Sequence, residues 1–283
     1  MKFRYTRVAR KLLMLDKSAI VSAHPDDEVL FFSSILDKAD KIVLCFLGCE
    51  SKPHWGVARQ KSLEEHPIKN IICLGLSESE TFCGPDWNNP VVTPYGLEIT
   101  GNTPSGEKYS RNYQELKDLL RPRLRGCRNV FTHNPWGEYG HAEHVQVYRV
   151  VKELQGELNY TLWFSNYCSN RSFPLMLRYV SGFTSEYVTL KTNKTAGRTV
   201  KDIYKKNGCW TWYGDWEWFN EESFMRDRDS IGDSHSYGHI FPLNMIKMRQ
   251  FNEPGGGPRK APLAAEHLRE AITRLVKRVR RES

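Results

Sequence analysis

The sequence predicts an α/β fold in which helices cover a mainly parallel sheet. Two observations carry this. Short, β-rich apolar runs alternate with longer amphipathic stretches, the pattern of right-handed βαβ units. The chain also has 283 residues, 40% apolar and 26% charged, the composition of an ordinary soluble domain large enough to bury its own core. Residues 18–23 (SAIVSA) read as a buried first strand and, past a polar turn, 29–36 as a helix. A strand at 41–47 (KIVLCFL), a helix at 57–69 and a strand at 70–76 (NIICLGL) follow. An amphipathic helix spans 111–120 with Pro122 near its end, then a strand at 129–132, a helix at 141–154 and a strand at 161–165. The ensemble is Rossmann-like, with one further strand at 187–190 and a helix at 196–206.

Residues 77–110 break the rhythm. They carry four prolines and four glycines among polar residues, and read as a long insertion able to close over a site. Residues 208–240 form an aromatic-rich region that includes Trp210, Trp212, Tyr213, Trp216 and Trp218. These rings suit sugar stacking or plain packing. His235 and His239, with Tyr237 between them, could line a pocket. A main domain over 1–253 is followed by a linker and basic terminal helix over 254–283, a C-terminal extension.

The formal charge is +8, with the basic excess at the two ends. No nucleic-acid motif accompanies it, so a nucleic-acid partner is not expected. No run is long enough for a membrane span. Seven cysteines without a C-x-x-C pair read as reduced thiols of a cytoplasmic protein. No G-x-G-x-x-G follows the first strand, which disfavours a dinucleotide enzyme.

Two segments carry chemistry. Directly after the first strand comes Ala23-His24-Pro25-Asp26-Asp27-Glu28, at the strand end where open α/β sheets bind ligands. Three adjacent carboxylates repel one another unless a cation sits among them. His24 and Asp27 are spaced to share a metal, leaving Asp26 to face a water. Helix capping is the plain alternative for Asp26 and Asp27, but capping asks neither for His24 nor for three acids in a row. After the fourth strand comes a second loop running into a helix, His133 to His144, in which His141 and His144 share a helical face. If the first and fourth strands are neighbours, both loops open on one crevice. His24, Asp27 and one of the two histidines then make a three-ligand site with an open position, as a catalytic zinc requires.

The A-H-P-D-D-E string, paired with G-H-x-x-H-V from Gly140, resembles the LmbE-like (PIG-L) family of zinc-dependent N-acetylglucosaminyl de-N-acetylases. The likeness covers roughly residues 18–165. It implies that His24, Asp27 and His144 bind Zn²⁺, with Fe²⁺ or another divalent ion as an alternative. It further implies that Asp26 is the general base, and that His141, if protonated, holds the oxyanion or protonates the leaving amine. Arg59 matches an arginine near the substrate in relatives. Glu28 is expected to orient His24 or its neighbours. Trp136 and Tyr139 adjoin the histidines and are expected to touch the sugar, and His133 is either catalytic or structural.

The implied reaction removes the N-acetyl group from an N-acetylglucosamine-type sugar on a larger small-molecule glycoconjugate, releasing acetate and a free amine, with a leaning towards antibiotic or other secondary-metabolite biosynthesis. The alternatives are a catalytically silent sugar-binding module, or a deacetylase of a thiol-precursor glycoside or a phosphatidylinositol glycan. Homo-oligomerisation stays open.

Overall fold

The computed structural model describes residues 14–81, 90–98, 106–179, 186–227 and 242–248. The predicted linker and helix over 254–283, and His235, Tyr237 and His239, lie outside the described residues.

Seven strands form one sheet in the order β3-β2-β1-β6-β7-β10-β9. They are β1 Ser18–Ser22, β2 Lys41–Gly48, β3 Ile71–Ser77, β6 Asn129–Thr132, β7 Thr161–Ser165, β9 Tyr187–Lys191 and β10 Glu221–Arg226. The first five are parallel; β10 runs antiparallel to β7, and β9 antiparallel to β10. The α/β fold with a mainly parallel sheet is therefore as the sequence predicts. Strand β10 (EESFMR) escapes periodicity because its two leading glutamates mask a run whose middle four residues are buried.

Alternate residues of β1 feed two cores. Ala19 and Val21 pack with Leu116, Leu120, Val147 and Val150 from helices α3 (Gly106–Leu124) and α4 (Ala142–Leu158). Ile20 faces the other way, towards α1 (Asp27–Phe31) and α6 (Lys194–Lys206), beside which α2 (Pro53–Glu65) also packs. Burial on both faces explains why β1 reads as an unbroken apolar run.

Three predicted boundaries move. Helix α1 stops at Phe31 rather than residue 36, because Ser33 Oγ and Ser34 N both turn to the buried Glu222 carboxylate, each at 2.8 Å. Helix α2 begins at Pro53 and ends before His66, whose extended backbone (ψ 133°) is the conformation that Pro67 imposes on its predecessor. Helix α3 is longer than expected at both ends.

Within the 77–110 insertion the described residues hold a hairpin, β4 (Val91–Thr93) with β5 (Gly96–Glu98). It lies on α4 through the buried Leu97 and through Gly96. Gly96 has φ +125°, and a Cβ there would sit 2.9 Å from the Tyr148 ring. A short parallel pair completes the described strands, β8 (Tyr167–Ser169) with β11 (Asn244–Ile246); helix α5 (Phe173–Tyr179) follows β8.

Candidate active site

The sheet order reverses direction at β1, which pairs with β2 on one side and β6 on the other. Such a switch point opens a crevice at the strand ends. The pairing Val21↔Thr132 brings the two motif loops together at that crevice. His133 fastens them directly, its Nε2 accepting the Ala23 N–H at 2.9 Å.

On the first loop, Asp26 stands at the N-cap of α1 with φ 107°, a left-handed conformation costly for a non-glycine residue, and its side chain caps nothing. Its Oδ2 instead accepts from Thr211 Oγ1 (2.6 Å) and Thr211 N (3.2 Å). The capping reading therefore fails for Asp26: the backbone is turned so that the carboxylate faces away from the helix. Glu28 Oε2 holds this turn through the Asp26 N–H at 2.9 Å, and its Oε1 accepts from Tyr204 Oη at 2.8 Å. Burial and the adjacent Asp27 charge push Asp26 up to about 7.

Asp27 Oδ2 is the hub. It lies 3.1 Å from His24 Nδ1 and 3.1 Å from His144 Nε2. Burial opposes its ionisation, but the imidazoles of His144 and His24 hold it well below the usual carboxylate range. His24 Nε2 meets Glu143 Oε2 at 2.8 Å, and Glu143 in turn holds Ser79. His144 Nδ1 is bound to Glu138 Oε2 at 2.8 Å, which leaves Nε2 as the ring nitrogen facing Asp27. That Nε2 is fully buried and faces the Asp27 carboxylate as an ion pair without the alignment of a hydrogen bond. Against the lowering effect of burial, Asp27 and Glu138 push His144 up to about 9.

The donors suit a divalent cation. A buried imidazole nitrogen beside a carboxylate oxygen is the arrangement of two ligands waiting on one ion. The charge balance agrees: Asp26, Asp27, Glu28, Glu78, Glu138 and Glu143 are all buried here, and Arg59 is the guanidinium among them. A dication relieves that repulsion. Three overlapping groups place ligand atoms within 4.8 Å of one another: His24, His141 and His144; Asp27, His133 and His144; and His24, Glu78 and Glu143.

His141 caps α4, its Nδ1 accepting the Glu143 N–H at 3.2 Å. The proton of the neutral ring therefore sits on Nε2. Burial, then the charges of His144 and His24, pull His141 well below its ordinary value.

Arg59 is 2% exposed, with Nη1 bonded to Glu78 and to the Leu47 carbonyl. The pair sits at the edge of the cluster, Glu78 Oε1 being 3.9 Å from His24 Nε2. Tyr139 meets the imidazoles edge-on, 5.2 Å from the His144 ring centroid, and lies 4.7 Å from that of Trp212. Trp136 does not reach the crevice. It is fully buried, donates Nε1–H to the Tyr167 carbonyl at 2.8 Å and packs on Phe164. Adjacency in sequence misled here, because the tight turn at Gly137 separates it from the histidines.

Gly137 has φ +63°, and a Cβ there would fall 2.5 Å from the His141 carbonyl oxygen. Gly137→Ala is expected to cost about 1–3 kcal/mol and lower the thermal midpoint, measurable by calorimetry.

Sequence reasoning missed Glu138, Glu143, Glu78, Tyr204 and Thr211. Glu138 is the most connected of them. It takes Nδ1 of both His133 (2.9 Å) and His144 (2.8 Å), the Ser165 hydroxyl and the Asn134 N–H. Burial opposes its ionisation, yet the two imidazoles hold it at about 2. Its presence inside the second motif was the available signal. Thr211 gave none, since it meets Asp26 across 185 residues. Glu138→Gln puts an amide where two imidazole N–H groups need acceptors. It is expected to weaken metal affinity about 10–100-fold in chelator competition.

No family model matches the chain. A 182-residue stretch, 63% of the chain, is 25% identical to an uncharacterized protein of Acanthamoeba polyphaga mimivirus and covers 75% of it. A 153-residue stretch, 48% of the chain, is 26% identical to the 1D-myo-inositol 2-acetamido-2-deoxy-alpha-D-glucopyranoside deacetylase of Corynebacterium diphtheriae. It spans 50% of that protein's length. Among solved structures, the zinc inhibited form of teicoplanin deacetylase Orf2 superposes with TM-score 0.49 at 15% identity, over 75% of this chain and 99% of that one. The pseudoaglycone deacetylase Dbv21 gives 0.47 at 9%, over 76% and 98%.

Proposed function

We propose that this chain is a zinc-dependent N-deacetylase of the LmbE-like type. It hydrolyses the acetamide of an N-acetylglucosamine-type sugar on a larger glycoconjugate, releasing acetate and the free amine. The observation that carries the reading is the buried His144 Nε2 facing Asp27 and His24, next to an Asp26 carboxylate turned away from its helix. The curated relative named as an acetamido-deoxyglucopyranoside deacetylase supports the same reading.

His24, Asp27 and His144 would hold the metal. Zinc bound there supplies Lewis acidity to the amide carbonyl and brings water's pKa down towards about 7. Asp26 takes the proton of the attacking water, Thr211 fixing its Oδ2 during the transfer. His141 donates Nε2–H to the developing oxyanion as a neutral imidazole. Asp26 then returns its proton to the departing amine. Glu28 acts through Asp26, by holding the backbone turn that aims it. Tyr139 and Trp212 pack together beside the imidazoles, their ring centroids 4.7 Å apart. This aromatic wall favours a glycoside with a bulky acceptor, as in secondary-metabolite tailoring.

A panel of N-acetylated amino glycosides, followed by free amine with and without chelator, tests the proposal. Metal-dependent amine release is expected. A stoichiometrically metallated protein that releases no amine from any member would sink it in favour of a silent sugar-binding module.

A further inference from the structure

Asp26 is gripped at two points. Its carboxylate accepts from Thr211, and its N–H is held by Glu28 Oε2 at 2.9 Å. Both grips trace to one short piece of chain. Tyr204, in the last turn of α6, donates its hydroxyl to Glu28 Oε1 at 2.8 Å, and Thr211 follows seven residues later.

The local structure explains how one piece reaches both ends of Asp26. Helix α6 closes with the Gly208 N–H on the Lys205 carbonyl and the Cys209 N–H on the Tyr204 carbonyl, a turn that reverses the chain. The reversed chain is pinned to α2. Asn207 Nδ2 donates to Glu65 at 3.2 Å, and Cys209 Sγ lies 3.1 Å from Ser62 Oγ. Thr211 then arrives at Asp26.

Glu28, Tyr204 and His66 are fully buried. His66 Nδ1 accepts the Ile68 N–H at 3.1 Å, so the neutral ring carries its proton on Nε2, which faces Glu28 Oε1 at 3.5 Å. The Tyr204 hydroxyl is the closer of the two groups on that oxygen. A left-handed non-glycine residue persists where its surroundings over-determine it, and residue 26 has φ 107°. Glu28 is what holds that turn from the backbone side, and Tyr204 is what holds Glu28. We infer that Tyr204 is a positioning residue for Asp26: its hydroxyl fixes Glu28, and through Glu28 the turn that aims the Asp26 carboxylate. The inference rests on the deacetylase reading for its effect on turnover, but not for the clamp itself.

The test uses the full chain. Tyr204→Phe removes the hydroxyl and keeps the ring in the core. Amide hydrogen exchange followed by NMR reads the Asp26 N–H directly, and it is expected to accelerate about tenfold or more while the β1 amides keep the parent rates. With a methyl N-acetylglucosaminide, kcat is expected to fall about tenfold with KM held within about twofold and metal content unchanged. In an Asp26→Asn background the same substitution is expected to cause no further loss, because it acts through Asp26. Unchanged Asp26 exchange in Tyr204→Phe overturns the inference, as does a loss of equal size in the Asp26→Asn background. If the β1 amides accelerate too, the fold has suffered, and Glu28→Gln, of the same volume, decides: unchanged Asp26 exchange there overturns the inference, and local acceleration supports it. If the sugar releases no amine but Asp26 exchange still accelerates in Tyr204→Phe, the clamp stands and the deacetylase reading fails.

Discussion

Asp26→Asn is expected to retain one metal per chain while losing about 10²–10⁴-fold in turnover, the range contributed by a positioned general base. Asparagine is the informative replacement for two reasons. It can still accept the Thr211 hydrogen bond that Asp26 Oδ2 receives at 2.6 Å. It also tolerates left-handed backbone better than alanine does, and residue 26 has φ 107°. Alanine would add strain to the chemical loss and blur the result. The measurement is free amine release alongside elemental analysis of the same preparation. Full activity in a metallated Asp26→Asn protein would remove Asp26 from the base role.

The second large effect separates the overlapping donor groups. His144→Ala is expected to bring metal from one per chain to near zero and activity below detection, because its Nε2 is the buried donor at the centre of the cluster. His24→Ala should behave likewise. His141→Ala should keep its metal and lose about 10²–10³-fold in turnover, the cost of one oxyanion donor. His133→Ala should keep its metal as well, since Nε2 of His133 is already engaged by the Ala23 N–H and its Nδ1 by Glu138. Loss of metal from His141→Ala, with metal retained in His24→Ala or in an Asp27→Asn variant, would assign the ion to a different set of donors.

The two motifs were legible because each is short in sequence and sits at a strand end. The run Ala23 to Glu28 follows β1, His133 to His144 follows β6, and an open parallel sheet delivers strand ends to one edge. Other parts were illegible for identifiable reasons. The end of helix α1 is hidden because the apolar spacing through Leu36 continues after the backbone has left the helix to reach Glu222. Trp136 turns into the core, and linear adjacency carries no information about which way a ring turns beside a glycine in the left-handed region.

The sequence by itself determined the alternation of strands and helices, the two loops that carry donors, and the residue types able to hold a cation and move a proton. Those depend on local periodicity and on side-chain chemistry, both of which are read along the chain. The tertiary structure alone decided that β1 and β6 are neighbours, that Asp26 turns to Thr211 instead of capping, and that Glu138 ties His133 to His144. Each of these joins residues through burial and hydrogen-bond direction. The partners are set by how the sheet brings distant segments together, and no spacing within the sequence encodes that.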